Sequence, residues 1–129
     1  MIEIFPAVSS DLVKRYTFTR NEHLKNGDEI KKAFAHGRKT SCTGAKLFYL
    51  ENGMKVNRVA FTFARKYGNA VERNRSRRLS REAYRLTKPR MKRGFDLVIL
   101  VYPGGDDYQR RFHQLDSLFV KAGLITDVT

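Results

Sequence analysis

The segment KYGNAVERNRSRRLSRE, residues 66–82, combines the start of a helix with a dense run of positive charge. Gly68 is free to take the backbone turn, and Asn69 and Glu72 have the spacing of the N-cap and N3 residues of a capping box. Pro89 cannot continue a helix, so it limits the other end. This pattern predicts one long helix over residues 69–86.

Arginines cover one side of this predicted helix. With successive residues about 100° apart, the basic arc holds Arg73, Asn74, Arg77, Arg78, Arg81 and Arg85. The opposite, apolar arc holds Leu79, Ala83 and Leu86, with Val71 at its edge. Arg75 is the exception, because it projects into the apolar arc. Either its stem packs there while the guanidinium reaches the rim, or the first turn is not ideal helix.

The basic arc predicts a binding surface for a polyanion. Its arginines at every fourth position form a ridge, and planar guanidinium groups pair well with phosphate oxygens. A solvated helix face normally mixes both signs of charge, whereas only Glu72 and Glu82 are acidic here. The helix N-terminus, at Gly68 and Asn69, adds backbone donors that favour a phosphate group or a metal-bridged phosphate.

The charge of the whole chain is concentrated in this region. The chain has 129 residues, the size of one domain, and its 26 Lys and Arg against 13 Asp and Glu give a net charge of +13. Residues 58–93 alone contribute +11 of that total. A nucleic acid is therefore the expected partner. The longest apolar run, residues 97–102, has the length of a strand and not the roughly 18 residues of a membrane-spanning helix, which excludes an integral membrane protein.

No constellation of catalytic residues stands out. Cys42 is the only cysteine, which excludes an internal disulfide and a zinc site of paired cysteines and fits a reducing cytosol. The start of the chain does not resemble a secretory signal, so we expect a cytoplasmic protein. The three histidines lie in different predicted elements without metal-ligand spacing: His23, His36 and His113. The pair Asp106-Asp107 could hold Mg²⁺, although adjacent acids in a polar loop usually face solvent.

The rest of the chain predicts a domain of mixed α and β structure. Two further helices are expected, over residues 21–37 and 108–123. Three strands are expected, over residues 45–51, 58–65 and 95–102. Gly37 is the expected stop of the first helix. Asn52-Gly53 is a two-residue turn signal that predicts a hairpin after the first strand. Residues 1–19 have no sustained pattern and are interpreted as an extension that is mobile or loosely docked.

One predicted strand has two different faces. In residues 58–65 the side expected to face the core carries Val59, Phe61 and Phe63. The other side is small and polar enough to be a binding floor: Arg58, Ala60, Thr62 and Ala64. Four aromatic residues lie on or near the first helix and the sheet, where exposed rings can stack unpaired bases: Phe34, Phe48, Tyr49 and Tyr67. This combination favours a single strand or a structured RNA over duplex DNA.

Residues 66–82 resemble the signature of the bacterial ribonuclease P protein family, in which Gly-Asn-Ala-Val is followed by Arg-Asn-Arg and further basic residues. The resemblance extends in weaker form from about Leu24 to Leu124. It implies an α+β fold, a single α-β-β-β-α-β-α domain built as a two-layer sandwich with a mostly antiparallel sheet and a left-handed βαβ crossover (ribosomal protein S5 domain 2-like). Parallel crossovers are right-handed by strong default, so this handedness comes from the resemblance alone. The domain would span residues 20–125, between the extension and a short tail, residues 126–129.

The resemblance also implies a function. Members of the family bind the catalytic RNA of ribonuclease P and assist the Mg²⁺-dependent removal of the 5′ leader from precursor tRNA. The catalytic centre and most of the Mg²⁺ belong to the RNA, so no catalytic or metal-binding residue is expected in the protein, and neither a membrane nor DNA is an expected partner. The implied contacts to the catalytic RNA are Lys66, Asn69, Arg73, Asn74, Arg75, Arg77, Arg78 and Arg81. The implied cleft for the single-stranded leader has Ile30, Phe34, Phe48, Arg65 and Lys66.

Two positions depart from the family pattern. Ile30 stands where the family often has an aromatic residue, so the resemblance implies only an apolar contact there, and Ala60 stands where glycine is common. Two other functions fit the charge and the size. One is a structural RNA-binding protein of the ribosomal type, and the other is a nuclease that works without an RNA subunit, using Asp106 and Asp107 with Mg²⁺.

Overall fold

The computed structural model describes residues 20–104 and 107–125. Its helices are α1 (Gly27–His36), α2 (Ala70–Thr87) and α3 (Tyr108–Lys121). Its strands are β1 (Arg38–Cys42), β2 (Ala45–Glu51), β3 (Arg58–Phe63) and β4 (Phe95–Val101). Short 3₁₀ helices cover Arg20–Glu22 and Lys88–Arg90. The predicted extension, the predicted tail and Asp106 lie outside the described residues.

The strands form one mixed sheet in the order β1-β2-β4-β3. The pairs β1-β2 and β2-β4 are antiparallel, and β3 pairs with β4 in parallel. The parallel pair is connected through α2, which is therefore the crossover helix of a βαβ unit. The order of elements and the mostly antiparallel sheet confirm the predicted α+β fold class.

The two faces of the sheet are covered differently. On one face Leu47, Leu97 and Ile99 are fully buried in the main core together with Tyr84 of α2 and Phe119 of α3. Each large apolar side chain buried in this way contributes about 1.5–3 kcal/mol. These two helices and the sheet make the predicted two layers.

Of the three helices described above, only α1 lies on the other face of the sheet. Ala33 of α1 and Leu24 lie against Ala60 and Val98 in a smaller cluster. The strand register extends this face by one more row, Lys46, Leu100 and Thr62, and all three residues are half-buried. This face is therefore partly open beside α1, at the edge that β3 forms.

The start of α2 has the predicted cap. The Asn69 side chain accepts a hydrogen bond from the Glu72 N–H at 2.9 Å, and Glu72 Oε1 accepts one from the Asn69 N–H at 3.1 Å. Gly68 precedes the cap with φ +143°, and a Cβ there would lie 2.7 Å from Glu72 Oε1. The conformation thus favours glycine, and a Cβ would also displace the Glu72 carboxylate from the cap. The helix ends at Thr87, one residue later than predicted.

The first helix begins later than predicted, at Gly27 and not at Asn21. Asn26 is its N-cap, and its side chain accepts a hydrogen bond from the Asp28 N–H at 2.8 Å. Before it, the chain pairs with the edge of β3 through His23, and the Leu24 N–H donates to the Val59 carbonyl at 2.9 Å. The position of Leu24 fits the apolar spacing of a helix, so the sequence pattern alone could not distinguish this contact with the edge of β3 from a first helical turn. The predicted stop at Gly37 is confirmed.

The predicted hairpin at Asn52-Gly53 is wrong. The sheet has its hairpin between β1 and β2, where Gly44 turns with φ +88° and Cys42 pairs with Ala45. Asn52 instead shapes a longer loop, because its amide donates to the Val56 carbonyl at 3.2 Å and to Asp96 Oδ1 at 3.0 Å. The strand that follows this loop, β3, pairs with β4 and not with β2.

The buried side of α2 also differs from the predicted apolar arc. Ala83 is buried as expected, but Leu79 and Leu86 are only half-buried and Val71 is 74% exposed. Arg75 is exposed and does not pack into the core. The fully buried positions of the helix are Ser76, Ser80, Ala83, Tyr84 and Thr87. The two serines are buried because they bind Arg111 of α3, which is itself fully buried.

Candidate nucleic-acid interface

The outer side of α2 carries the predicted basic residues, which we call the arginine surface: Arg73, Asn74, Arg75, Arg77, Arg78 and Arg81. Arg73 and Arg77 are half-buried, and the other four are exposed. The rotation of the helix is set by the buried serines on its inner side, which bind Arg111. The structure therefore keeps the basic arc together, and Arg75, which the helical period placed in the apolar arc, is exposed beside it.

Ion pairs divide the basic residues of segment 58–93 into two groups. Four of them contact carboxylates: Arg58 with Glu29 and Asp96, Arg85 with Glu82, Lys88 with Glu22, and Arg90 with Asp116. The other nine form no ion pair with any carboxylate among the described residues: Arg65, Lys66, Arg73, Arg75, Arg77, Arg78, Arg81, Lys92 and Arg93. The arginine surface thus keeps all of its positive charge, while Arg85 leaves the predicted ridge.

The loop before α2 directs two more cations outward. Tyr67 is buried, and its hydroxyl donates to Ser76 Oγ at 2.8 Å. Lys66 next to it has φ +66°, a left-handed conformation that costs a non-glycine residue about 1–2 kcal/mol. Because Tyr67 turns inward, Arg65 and Lys66 remain exposed beside the start of the helix. Asn69, which was predicted to bind the catalytic RNA, has its side-chain oxygen in the helix cap.

Arg77 and Arg81 lie next to each other on the side of α2 that faces β3. The Arg77 guanidinium carbon is 5.1 Å from the centre of the Phe63 ring, and its Nη1 donates to Asn74 Oδ1 at 3.0 Å. Burial, and then the positive charge of Arg77, lower the pKa of Arg81. The two guanidinium groups repel each other, and an anion between them would relieve that repulsion.

A groove of about 230 Å³ lies between α2, the edge strand β3 and the residues before α1. Ala60 and Thr62 of β3 line it, so the small and polar face of this strand is a floor, as predicted. Ile30 of α1 lines the groove on one side, and Arg77 and Arg81 line it on another. The groove therefore combines apolar surface with fixed positive charge.

The aromatic residues separate into two pairs. Phe34 is 39% exposed, and its ring meets that of Phe48 edge to face at 4.7 Å, beside Ile30. Tyr49 and Tyr67 are not exposed for stacking, because both pack with the main core on the other face of the sheet. Their positions in the strand and in the loop point them inward. Of the predicted leader-binding residues, Ile30, Phe34 and Phe48 lie together, whereas Arg65 and Lys66 follow β3 near the start of α2.

Two titratable groove residues were not singled out from the sequence as binding residues: His23 and Lys25. Burial, then Arg81 and Lys25, lower the pKa of His23, while Glu22 acts in the opposite direction. The alternation of β3 identified Thr62 as part of a floor. Nothing in the local sequence indicated that His23 pairs with the edge of that strand.

One ion-pair network fixes α1 on the sheet. Arg58 of β3 donates to Asp96 on β4 at 2.8 and 2.9 Å, and to Glu29 on α1 at 2.8 and 3.2 Å. These hydrogen bonds, with those to Asp96 first, raise the pKa of Arg58. Arg58 is thus a structural cation, and it does not contribute to the predicted binding floor.

The described residues do not fit a metal site. No three His, Cys, Asp or Glu side chains in ranges 20–104 and 107–125 come together as metal ligands. Asp107 caps α3, where its side chain accepts from the Gln109 N–H at 3.2 Å. Among the same residues, no helix is long and apolar enough to cross a membrane.

Comparison with known proteins gives concordant results. The family model for Ribonuclease P matches residues 18–123. The ribonuclease P protein component of Natranaerobius thermophilus is 37% identical over 98 residues, which cover 76% of this chain and 84% of the relative. That of Clostridioides difficile is 33% identical over 113 residues, covering 87% and 97%.

Solved structures share the fold. The Staphylococcus aureus RNase P protein superposes with a TM-score of 0.73 at 17% identity, covering 81% of this chain and 98% of that one. The Thermotoga maritima RNase P protein superposes with a TM-score of 0.68 at 24% identity, covering 74% and 93%.

Proposed function

Because the chain belongs to the ribonuclease P protein family, a subunit of an endoribonuclease that works with an RNA partner, we propose that its arginine surface binds the catalytic RNA of that enzyme. We further propose that the groove and the adjoining Phe34 and Phe48 hold the single-stranded 5′ leader of precursor tRNA. The protein would act in the cytoplasm, where this RNA processing takes place. The observation that carries the proposal is the group of nine basic residues without a carboxylate partner among the described residues, most of them on or beside α2.

The arginine surface supplies binding and no chemistry. Each guanidinium can form two parallel hydrogen bonds to phosphate oxygens, and each phosphate it neutralises releases condensed counterions. Exposed Arg75 and Arg78 can reach RNA without loss of an internal ion pair. Bringing these charges to an RNA fold reduces phosphate repulsion, so the RNA needs less Mg²⁺ to keep its active structure.

The leader would bind beside this surface. An unpaired base can stack on the exposed Phe34 ring, with Phe48 holding that ring from the edge. Ile30 offers an apolar contact only, and the backbone of the leader can follow the cations at Arg77, Arg65 and Lys66. A leader held at several points meets the catalytic RNA in one register, which lowers the entropic cost of cleavage.

Mg²⁺ belongs to the RNA in this proposal. Most carboxylates in the described part of the chain lie in helix caps or ion pairs, and no three metal-ligating side chains converge there. The protein therefore contributes charge and position, and the metal ions that stabilise the leaving and attacking oxygens would be held mainly by the RNA subunit.

The test is cleavage of precursor tRNA at low Mg²⁺ by the catalytic RNA alone, by the protein alone and by both together. We expect little cleavage by the RNA, none by the protein and efficient release of the leader by the mixture. Cleavage by the protein alone would favour a nuclease that works without an RNA subunit. Binding without stimulation of the RNA would favour a structural RNA-binding protein.

A further inference from the structure

Four groups that carry or can accept a proton converge inside the groove. His23 and Lys25 come from the segment before α1, and Arg77 and Arg81 come from α2. We call these four residues the groove cluster. His23 is positioned by the main chain, because its segment pairs with Val59 at the edge of β3. The cluster thus joins two elements that are distant in sequence.

The surroundings of His23 are positive. From its own segment it faces Lys25 and Glu22, and from α2 it faces Arg81, with Arg77 lining the same groove. Glu22 forms an ion pair with Lys88, in the 3₁₀ helix that follows α2, at 2.6 Å. Its negative charge therefore only partly offsets these cations.

The nearby charges of β3, α1 and β4 form their own ion-pair network. Arg58, one residue before Val59, is engaged by Glu29 of α1 and Asp96 of β4, each at 2.8 Å, which leaves the three side chains with a net charge of −1. None of these three is among the groups that shift the pKa of His23. The cluster has the charge of three fixed cations and a histidine whose pKa is lowered by burial and then by Arg81 and Lys25, which favours the neutral imidazole.

We propose that the groove cluster binds a phosphodiester group of single-stranded RNA and that His23 takes up a proton from solvent when this group enters. The inference rests on the proposed function and deepens it by naming the recognised chemical group. A phosphodiester carries one negative charge at all pH values near neutrality. A phosphodiester placed between Lys25, His23 and Arg81 attracts these groups, which otherwise repel one another when His23 is charged. Its negative charge therefore stabilises the protonated imidazole of His23. No covalent bond forms or breaks.

Proton uptake makes binding depend on pH with a defined sign. The bound state holds more protons than the free state between the two pKa values of His23, so affinity rises as the pH falls through that range. Uptake of one full proton gives at most about a tenfold gain in affinity per pH unit. Above both pKa values the affinity is independent of pH.

The experiment uses the full chain and a fluorescent oligouridylate, because uracil does not titrate between about pH 5.5 and pH 8. Dissociation constants are measured across that range for the wild type, His23→Gln and His23→Arg. The controls are His36→Gln and His113→Gln, since both side chains are exposed outside the groove. We expect wild-type affinity to rise about three- to tenfold toward low pH, with the same rise in both controls. His23→Gln should be flat and weak, and His23→Arg flat and tight.

A second readout needs no variant. The pKa of the His23 ring, followed by NMR in the wild type, should rise by about one unit or more when oligouridylate is added. An unchanged His23 pKa, a pH profile that survives in His23→Gln, or no binding of oligouridylate at any pH would overturn the proposal.

Two further arms identify the source of the phosphodiester. In the complex with catalytic RNA, a pH effect on precursor tRNA but not on mature tRNA assigns it to the leader. A pH effect on assembly with the catalytic RNA assigns it to that RNA. Failure of the proposed function looks different, because assembly with the catalytic RNA would then be absent even at pH 8, where His23 is neutral.

Discussion

Arg77 and Arg85 both lie on α2, but their guanidinium groups have different partners. Arg85 binds Glu82 at 2.6 Å, whereas Arg77 lies over Phe63 and contacts the Asn74 amide. We expect Arg77→Ala to weaken binding to the catalytic RNA about tenfold, because a charge-assisted bond to phosphate contributes roughly 1.5 kcal/mol or more.

The matched control is Arg85→Ala. It removes the same side chain from the same helix, but the lost charge is already offset by Glu82, so we expect less than about a threefold change. Equal losses in the two variants, measured as dissociation constants at one salt concentration, would show that the internal ion pair does not decide which arginines are available.

Phe34 is the ring best placed to stack a base of the leader, since it is 39% exposed and supported by Phe48. We expect Phe34→Ala to weaken binding of leader-bearing precursor tRNA by about 1–3 kcal/mol and to leave mature tRNA nearly unaffected. Binding of the two tRNAs to the protein–RNA complex measures the difference. Val120→Ala, which removes an exposed apolar side chain of α3, is the control, and equal losses for both tRNAs would contradict a role in leader binding.

Among the elements, α2 depends on an interaction that crosses to α3. The fully buried Arg111 donates to Ser76 and Ser80 and, at 2.9 Å, to Gln114 Oε1, and Tyr67 joins the network through Ser76. This network links the rotation of the arginine surface to the core.

We expect Arg111→Ala to lower the free energy of unfolding by about 3 kcal/mol, because it leaves buried hydroxyl groups without their charged donor. Urea unfolding of the free protein measures the loss. Arg110→Ala, at the exposed neighbouring position of α3, should change it by less than about 0.5 kcal/mol. A loss below about 1 kcal/mol for Arg111→Ala would mean that packing alone sets the rotation of α2.

Local sequence signals predicted the elements whose ends or burial are encoded within a few residues. The cap of α2 at Asn69 and Glu72 and the continuous apolar run of β4 were both identified, because each depends on contacts within a few residues. The strand β1 was not identified from its residues, because Arg38–Cys42 is polar and exists as a strand only by pairing with β2. The Asn52-Gly53 turn was wrongly predicted to close a hairpin, because the Asn52 side-chain amide donates to Asp96 on β4, which is distant in sequence.

In the candidate site, too, local patterns predicted some features, and others depend on contacts between residues distant in sequence. The helical period predicted the arginine surface, and the alternation of β3 predicted the floor of the groove. The position of His23 depends on a bridge to Val59, and the loss of Arg85 from the ridge depends on how Glu82 is oriented. The burial of Tyr49 and Tyr67 follows from which face of the sheet receives α2 and α3, which no local pattern states.

For the whole molecule, the distribution of charge matters more than its total. The chain carries +13, and internal ion pairs remove four of the thirteen basic side chains in segment 58–93 from the surface available to RNA. Most of the remaining cations lie on or beside α2 and the groove, where burial and then the positive charge of Arg77 lower the pKa of Arg81. A polyanion that covers this side would relieve the repulsion, while the opposite side is held by the apolar core.

The salt dependence of binding to the catalytic RNA tests this central claim most directly. The logarithm of the association constant is measured against the logarithm of salt concentration for the wild type and for the combined variant Arg73→Gln, Arg77→Gln and Arg81→Gln. Each lost phosphate contact reduces the slope by about 0.7–0.9, so we expect the variant to be shallower by roughly two to three. An unchanged slope would contradict the assignment of these arginines to the phosphate backbone of the RNA.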